Sequence, residues 1–411
     1  MIIDSEKYNK LCECGKEHSM TTKLCVIEEG CIGKIDTYLK KYGLCGVSAA
    51  IYDENTYDAR GMIRPCADFE IVLPYENLHA DNRGVALLKS KLPEKCDYLI
   101  AVGSGTICDL TRYCAYEMGI PFVSCPTAAS VDGFCSSVAA MTWNGFKKTL
   151  TAAAPEIVIA DLNIIANAPA FLTKSGFGDM IGKFIALADW KIANLLTGEY
   201  FCPFIYNMTV DAAKAVIDCA EGIKKGEKSA FEKLIYGLLM SGLAIQLLGN
   251  SRCASGAEHH ISHLIEMQPQ GLGVASSALH GEKVGVGTLL AAEEYHKLKN
   301  IKKWNDYTTA NEEDIEKIFG ERLKDSIIEE NKNDACRGIK ATQIEGKWAG
   351  ICEIIDGIPL PQSLLKVYKV LDVKATLYDI GVGEEVKEKL LKYSPLVRNR
   401  LTLMRLRRAI I

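Results

Sequence analysis

The first part of the chain alternates short apolar runs with segments of helical periodicity. The runs have the length of buried parallel strands and are bounded by Gly, Pro or Asp. They are Val47–Tyr52, Glu70–Leu73, Asp97–Val102, Ile120–Cys125 and Ile157–Ala160. Helical segments lie between these runs, so the pattern predicts βαβ units and an α/β domain over residues 1–168.

Beyond Asn167-Ala168-Pro169 the apolar positions follow helical spacing instead. Positions 181, 184, 185, 188, 192 and 195 fall on one helix face. Further helical patterns lie near residues 209–225, 228–249, 256–267, 281–300 and 312–330. Strand-like runs are scarce here, so we predict an all-α domain over residues 169–411. The charged segment 303–345 predicts exposed helices and loops, and the basic tail Arg398–Arg408 predicts a solvated helix face.

Composition narrows the class of protein. The 411 residues are 48% hydrophobic and 24% charged, with a net charge of −4, which is ordinary for a globular chain. This balance gives no support for nucleic-acid binding. The N-terminus lacks the apolar core of a signal peptide, and the longest apolar stretch, near 234–249, is shorter than the roughly 20 residues of a membrane span. We therefore predict a cytoplasmic protein without a membrane span, whose 16 cysteines are reduced.

One group of cysteines has metal-ligand character. Cys12, Cys14 and His18 form a CxCxxxH sequence that can bind zinc, but no fourth ligand is evident from the sequence. An exposed N-terminal hairpin without a metal is the alternative.

A glycine-containing loop follows the third predicted strand and opens a helix. Its residues are Gly103, Ser104, Gly105, Thr106 and Ile107. The two glycines allow a close approach of backbone N–H groups to a pyrophosphate, and the helix N-terminus favours its charge. The GxGxxG fingerprint is incomplete, because position 108 is Cys, so a plain βα turn is the alternative.

Two further positions suit a dinucleotide. Asp53 ends an earlier strand, where an acid can accept a hydrogen bond from a ribose hydroxyl or simply cap a turn. A second loop follows the fourth predicted strand and offers Thr127, Ala128, Ala129, Ser130 and Asp132. Its small residues let a ligand approach, although Ser130 is equally suited to a helix N-cap.

Four of the seven histidines lie within 22 residues, which suggests a metal site. His259 and His263 are four apart on a predicted helix and share a face, whereas His260 points away from it. His280 follows a loop, and Asp179 lies near the start of another predicted helix. Imidazole nitrogen and carboxylate oxygen suit a divalent metal with an open position for chemistry.

With these motifs the chain resembles the bacterial type of the glycerol-1-phosphate dehydrogenase family. This family lies within the iron-containing alcohol dehydrogenase and dehydroquinate synthase-like superfamily. The matching stretches span roughly residues 47–295. They are GSGTICD, CPTAASVDGFCSSVAAM, NGFKKT, ADLNIIANAPAFLTKSGFGDMIGKFIALADWK, SRCASGAEHHISH and LHGEKVGVGTL. Two positions depart from the family pattern: Cys253 stands where Pro is usual, and Cys135 where Ala is common.

The resemblance implies a Rossmann-like N-terminal domain, a helical C-terminal domain and an active site between them. It implies that Asp53, the Gly103–Ile107 loop, the Thr127–Ser130 loop and Ser136 contact NAD or NADP. It further implies that Asp179, His259 and His280 hold zinc or nickel. Asp132 and His263 would contact the substrate and act in catalysis, with Asp179 also touching it. A homodimer is the family-based expectation.

The reaction that this resemblance implies is the reversible reduction of glycerone phosphate to sn-glycerol 1-phosphate. Lys147, Lys148 and the Ser251-Arg252 pair are candidates for binding the phosphate, with solvated surface charge as the alternative for each lysine. Three other functions stay open at this point: a glycerol or polyol dehydrogenase without phosphate specificity, a dehydroquinate synthase-like lyase and a cofactor-binding scaffold.

Overall fold

The computed structural model describes residues 1–410, apart from the side chains of Glu6, Lys7 and Lys10. Its strands, in chain order, are β1 Ile2–Asp4, β2 Lys10–Leu11, β3 Glu17–His18, β4 Leu24–Glu28, β5 Ser48–Asp53, β6 Phe69–Leu73, β7 Tyr98–Gly103, β8 Phe122–Pro126, β9 Val138–Trp143, β10 Phe146–Thr151 and β11 Ile157–Asp161.

The helices of the first half of the chain are α1 Ile35–Lys41, α2 Glu54–Tyr57, α3 Asn82–Lys91, α4 Gly105–Met118, α5 Leu162–Ile165, α6 Ala170–Ile181 and α7 Lys183–Thr197. Those of the second half are α8 Pro203–Asp218, α9 Ala220–Lys224, α10 Lys228–Leu248, α11 Ala257–Met267, α12 His280–Leu298, α13 Glu312–Glu330, α14 Ala341–Asp356, α15 Pro361–Leu371, α16 Lys387–Tyr393 and α17 Leu403–Leu406. The order confirms the predicted change from alternating strands and helices to helices.

A seven-stranded sheet organises the first part of the chain, in the order β1-β4-β11-β8-β7-β5-β6. Its neighbouring strands pair parallel except β1 with β4, which pair antiparallel. Gly103 at the end of β7 stands opposite Pro126 at the end of β8. Because the carboxyl ends of parallel strands meet at one edge of the sheet, the loops that follow β7 and β8 are neighbours.

The five predicted strands are all present, as β5, β6, β7, β8 and β11, with ends shifted by at most two residues. The prediction missed β4, although its Leu-Cys-Val-Ile run is buried like the others. It also missed the short edge strand β1 and the β9–β10 hairpin, whose alternating polar residues belong to a separate two-stranded sheet.

Contacts divide the chain into two compact units. The first comprises Met1–Asn144, Lys148–Met180 and Asn207–Ser251, and the second comprises Gly145–Lys147, Ile181–Tyr206 and the chain from Arg252 onward. The predicted boundary at 168/169 therefore marks the change of sequence pattern, whereas α6 and α8–α10 belong to the same unit as the sheet.

The long apolar helix α10 is a core helix of the first unit, as predicted. By length and composition it meets the criteria for a membrane span, but 78% of its most apolar window is buried inside the protein. Gly242 allows its close packing, because a Cβ at that position would lie 2.9 Å from the carbonyl oxygen of Asp132. No other helix among the described residues meets the same criteria.

The basic C-terminal tail is packed into the second unit, so the prediction of a solvated helix face is wrong. The Arg405 side chain is fully buried, and its Nη1 lies 3.0 Å from the carboxylate of Asp334. Its Nη2 donates to the Oδ1 of Asn331 at 2.7 Å and to the carbonyl oxygen of Arg398 at 2.9 Å. Burial of a charged group is tolerable only with such partners.

Candidate active site

The Gly103–Ile107 loop joins the buried strand β7 to the N-terminus of α4. Ser104 is the N-cap residue but makes no side-chain capping bond, so the first N–H groups of the helix stay available. A Cβ on Gly103 would lie 2.5 Å from the Cβ of Ile107, and one on Gly105 would lie 3.1 Å from Val131. Packing therefore requires the glycine at 103 and leaves little room for a side chain at 105. The helix N-terminus has the partial positive charge that suits a phosphate.

The loop after β8 lies beside the first loop and is held by α6. The N–H of Thr127 donates to the carbonyl oxygen of Gly103 at 3.2 Å. Ser175 Oγ donates to the carbonyl oxygen of Ser130 at 3.1 Å, and a Cβ on Gly176 would collide with the carbonyl oxygen of Ala129. Residues Thr127–Ser130, including Ala128, are buried. Ser130 does not cap a helix, so that alternative is removed.

Asp53 acts as a cap in this structure. Its Oδ1 accepts the N–H of Thr56 at 2.8 Å, and Thr56 Oγ1 accepts the N–H of Asp53 at 3.0 Å, which closes a capping box at the start of α2. The cap uses Oδ1 of the carboxylate, so it is compatible with the expected contact of this carboxylate to a ribose.

Asp132 and Asp179 are linked directly within the first unit. Asp179 Oδ2 accepts the N–H of Asp132 at 3.0 Å, and Ser241 Oγ donates to Asp132 Oδ2 at 2.8 Å. The prediction that Asp179 lies near a helix start is wrong, because it lies in the last turn of α6. Its carboxylate is fully buried. Ser136 follows the 3-10 turn Gly133–Cys135, and its Oγ accepts the N–H of Val138 at 3.1 Å.

The three predicted histidines converge in the second unit. His259 and His263 lie on one face of α11, and His280 is the first residue of α12. Ring centroids are separated by 5.9 Å for His259 and His263, 5.3 Å for His259 and His280, and 5.6 Å for His263 and His280. Gly287 allows the two helices to approach, since a Cβ there would lie 2.6 Å from the carbonyl oxygen of Glu258.

Two glutamates that we did not predict orient these rings. His259 Nδ1 lies 2.6 Å from Glu258 Oε1, and His280 Nδ1 lies 2.8 Å from Glu266 Oε1. A carboxylate only accepts, so each Nδ1 carries the proton and each Nε2 keeps its lone pair. This is the arrangement by which carboxylates position metal-binding histidines. A signal for Glu266 was present, because it lies on α11 at helical spacing from His259 and His263.

Lysine charges surround Glu266. Lys147 Nζ lies 3.3 Å from its Oε2, and Lys283 Nζ lies 3.9 Å from its Oε1. Burial alone would raise the pKa of Glu266, but the Lys147 ammonium, the interaction with His280 and the Lys283 ammonium hold this pKa well below its ordinary value. Burial lowers the pKa of Lys283, against the opposing effect of Glu266. Lys283 was missed by the sequence analysis, although it lies one helical turn after His280.

His263 and His260 have different surroundings. Burial is the main cause that holds the pKa of each well below its ordinary value, so both rings are neutral. The groups acting on the pKa of His263 include Glu266 and His280, whereas those acting on the pKa of His260 are arginines, among them Arg400. This difference agrees with the prediction that His260 points away from the face shared by His259 and His263.

The residues predicted to bind the phosphate differ in their distance from the histidine cluster. Lys147 lies beside the histidine cluster through Glu266. Arg252 is buried and engaged elsewhere: its Nε donates to Glu199 Oε1 at 2.8 Å, and its Nη2 donates to the carbonyl oxygens of Asp189 and Leu401. These contacts indicate a structural role for Arg252. The Lys148 side chain is exposed.

Known sequences similar to this chain include several proteins with one shared enzyme name. The family model described as iron-containing alcohol dehydrogenase matches residues 26–169. The chain is 31% identical to a glycerol-1-phosphate dehydrogenase [NAD(P)+] of Geobacillus stearothermophilus over 96% of this chain and 94% of that protein. It is 37% identical to the enzyme so named from Bacillus licheniformis, over 70% of this chain and 74% of that protein. With the Geobacillus thermodenitrificans relative the identity is 42%, over 54% of this chain and 55% of that protein, about half of each.

Solved structures support the fold. A probable glycerol dehydrogenase from Sinorhizobium meliloti 1021 has a TM-score of 0.62 at 19% identity, covering 90% of this chain and 87% of that one. Sulfoacetaldehyde reductase from Bifidobacterium kashiwanohense, solved with NAD+, has a TM-score of 0.58 at 14% identity, covering 94% of each chain. At such identities the likeness shows the fold alone, and it confirms the predicted dehydroquinate synthase-like fold. On its sequence similarity along nearly its whole length, the chain belongs to the glycerol-1-phosphate dehydrogenase family.

Proposed function

We propose that this protein is an NAD(P)-dependent sn-glycerol-1-phosphate dehydrogenase that reversibly reduces glycerone phosphate with the help of one divalent metal. The observation that carries the proposal is the pair His259 and His280, each with its Nδ1 held by a buried or nearly buried glutamate. Two relatives named for this activity are 31% and 37% identical to the chain over most of their length, which supports the same chemistry here.

The proposed metal ligands are Asp179, His259 and His280. The donor set is one oxygen and two nitrogens, which suits zinc or nickel and leaves room for a substrate oxygen. When bound, the metal would supply Lewis-acid stabilisation of negative charge on that oxygen. His263, Glu266 and His280 offer another close group of donor atoms, within 4.8 Å of one another. We do not favour this group, because Glu266 is already engaged with the Nδ1 of His280 and with Lys147.

The proposed cofactor site consists of the two neighbouring loops at the sheet edge. The N-terminus of α4, after Gly103, Ser104 and Gly105, would bind the pyrophosphate of NAD or NADP. Thr106, Ile107, the Thr127–Ser130 loop and Ser136 would line the site, and Asp53 would accept a hydrogen bond from the ribose. The small residues at 128 and 129 allow close approach, and the packing of Gly176 on Ala129 fixes the loop position.

The substrate would be recognised by polar groups of both loops and helices. Asp132, Asp179 and His263 are the proposed substrate contacts, with Asp132 and His263 orienting hydroxyls and transferring protons. A neutral His263 can donate from one nitrogen and accept at the other. Lys147 and Lys283 are the proposed phosphate contacts, since both lie near Glu266 beside His280 and their charges exceed that of this single carboxylate.

The decisive experiment compares substrates on protein loaded with zinc or nickel. Glycerone phosphate and unphosphorylated glycerone are supplied with NADH or NADPH, and nicotinamide absorbance is followed. We expect oxidation of the cofactor with glycerone phosphate and much slower oxidation with glycerone. Equal rates would instead identify a polyol dehydrogenase, and an absence of net cofactor oxidation with either compound would remove the dehydrogenase proposal. We further propose that the protein is cytoplasmic and forms a homodimer. Light scattering on the purified protein measures its mass and so tests the homodimer.

A further inference from the structure

The N-terminal hairpin contains a cluster of metal-binding side chains that the proposed reaction does not use. Strands β2 and β3 pair antiparallel, with Lys10 opposite His18 and Leu11 opposite Glu17. The turn between them is closed by Cys12 N–H to the carbonyl oxygen of Lys16 and by Gly15 N–H to that of Cys12, both at 2.9 Å. Gly15 has a φ of 83°, which glycine adopts without strain.

This turn brings three donor atoms together. The Sγ atoms of Cys12 and Cys14 and a ring nitrogen of His18 all lie within 4.8 Å of one another, and Cys14 Sγ is 3.4 Å from His18 Nε2. Ligands of a tetrahedral zinc with bonds near 2.0–2.3 Å are separated by about 3.5–3.8 Å. The spacing therefore needs little adjustment to accommodate the ion.

The imidazole of His18 is oriented for binding. Its Nδ1 lies 2.9 Å from the carbonyl oxygen of Leu247, which can only accept, so Nδ1 carries the proton. The lone pair then lies on Nε2, the nitrogen that faces Cys14. A backbone carbonyl on the far nitrogen is a usual partner of a metal-bound histidine. His18 is 4% exposed, so its orientation is fixed by packing as well.

From this geometry we propose a second, structural metal site in the N-terminal hairpin, in which Cys12, Cys14 and His18 bind zinc. Two thiolates and an imidazole are soft and borderline donors that select zinc. The proposed catalytic set contains only oxygen and nitrogen, so the two sites have different chemistry. The fourth position is taken by a further thiolate or by water, and counting sulfur ligands decides which.

The metal would fix the N-terminal segment against the end of α10. His18 contacts Leu247, and the neighbouring Gln246 accepts the N–H groups of Thr21 and Thr22 at 3.1 and 3.3 Å. A hairpin of two-residue strands has little stability alone, and binding of a metal to the folded form stabilises that form. Its role is therefore to hold the first strands of the chain in register.

X-ray absorption at the zinc edge tests the site on the full-length protein. We expect sulfur scattering at about 2.3 Å in the wild-type protein, which the proposed catalytic ligands cannot supply. Cys14→Ser should lose the sulfur signal and bind one zinc ion fewer per chain, whereas Cys66→Ser, at an exposed cysteine, should match the wild type. A wild-type spectrum with only nitrogen and oxygen ligands overturns the proposal, as does an unchanged spectrum in Cys14→Ser.

A second measurement on the wild type covers the case in which Cys14→Ser does not fold. A mercurial thiol reagent is titrated into zinc-loaded protein in the presence of a coloured zinc indicator. We expect one zinc ion per chain to be released as thiols react, with the remaining zinc unaffected until the protein unfolds. Release that is independent of thiol modification contradicts the proposal. Neither readout depends on turnover, so failure of this site and failure of the proposed dehydrogenase activity are distinguishable.

Discussion

At the scale of single residues, the carboxylates behind the histidines decide how well a metal is held. Glu258 Oε1 accepts both the Nδ1–H of His259 and the N–H of Gly256, so it is locked in place. We expect Glu258→Gln to weaken metal binding about 10- to 100-fold, because the amide is a poorer acceptor and lowers the basicity of the ring. Competition with a chromophoric chelator measures the affinity.

The control for this change is Glu345→Gln, on the exposed part of α14. It should leave the metal affinity at the wild-type value. Equal affinities for the wild type, Glu258→Gln and the control would show that His259 is not a ligand in the manner proposed.

The two neighbouring lysines of the NGFKKT segment are expected to have different roles. Lys147 is largely buried and contacts Glu266 next to His280, whereas the Lys148 side chain is exposed. A charge-assisted hydrogen bond contributes about 1.5–3 kcal/mol, so Lys147→Ala should raise the KM for glycerone phosphate by roughly ten- to a hundredfold. Initial rates at varied substrate and varied cofactor measure this effect.

In that experiment the KM for the nicotinamide cofactor should stay unchanged, and Lys148→Ala should resemble the wild type. A KM for glycerone phosphate that does not respond to Lys147→Ala removes this lysine from the substrate site and leaves Lys283 as the candidate to substitute next.

How much of the site the sequence could predict depends on the range of the signal. His259 and His263 were recognised from a four-residue spacing on one helix, and the structure confirms that they share a face. Glu266 carried the same signal but was not used. The hydrogen bond between Asp132 and Asp179 joins residues 47 positions apart and forms only when α6 packs on the loop after β8. The spacing of neighbouring residues therefore could not predict it.

At the scale of elements, the position of the Thr127–Ser130 loop, the second loop of the proposed cofactor site, depends on one glycine of α6. A side chain at Gly176 would collide with the backbone of Ala129 and Ser130, which cannot move as a flexible side chain would. We expect Gly176→Ala to destabilise the protein by about 1–3 kcal/mol, as overpacking does, and to raise the KM for NADH or NADPH. Urea denaturation and initial rates provide the two measurements.

Gly346→Ala is the matched control, because it also lies inside a helix but has no atom within 4 Å of its added Cβ. This change should leave the kinetics unaltered and stabilise the protein by about 0.5–1 kcal/mol, the ordinary gain from replacing glycine in a helix. If Gly176→Ala behaves like this control, the loop is not held in the way described.

The strands show what element-level patterns can and cannot give. The runs that became β5, β7, β8 and β11 were recognised because both their faces are buried and their flanks contain turn residues. β9 and β10 were missed because polar residues interrupt their apolar pattern, as the two lysines do in the segment FKKTLT. The pairing order of the sheet is set by contacts distant in sequence, which no single run encodes.

At the scale of the whole molecule, segments far apart in sequence are joined by buried polar groups rather than by apolar packing alone. The tail Arg398–Arg408 looked like a solvated helix from its charge, yet Arg405 is buried against Asp334 and Asn331. The helices α8–α10 belong to the same compact unit as the sheet, although their sequence pattern continues that of the helical half. Composition indicates where charge lies along a chain, but only the folded contacts determine whether that charge is solvated.

Asp189 is the clearest of these buried groups, and it joins four segments of the second unit. Asp189 lies on α7. Its Oδ1 accepts hydrogen bonds from the hydroxyl of Tyr295 and the N–H of Leu403, both at 2.8 Å, and its Oδ2 accepts one from the N–H of Ala257 at 2.9 Å. Burial raises its pKa to about 7, against the lowering effect of the backbone donors. Its charge state therefore changes near neutral pH.

The sign of the resulting pH dependence follows from the two protonation states. Between about pH 4 and pH 7 the folded protein keeps the Asp189 proton that the unfolded chain releases, so the free energy of unfolding falls as pH rises through this window. The slope from this group is at most about 1.4 kcal/mol per pH unit. Asp189→Asn has no such proton, and although it loses a hydrogen bond to Ala257, that loss is the same at every pH. Denaturation at several pH values should therefore show the wild type losing stability relative to Asp189→Asn from about pH 4 to about pH 7. If the difference in stability between the two proteins stays constant across this window, Asp189 is ionised throughout. Its three hydrogen-bond donors would then outweigh the effect of its burial.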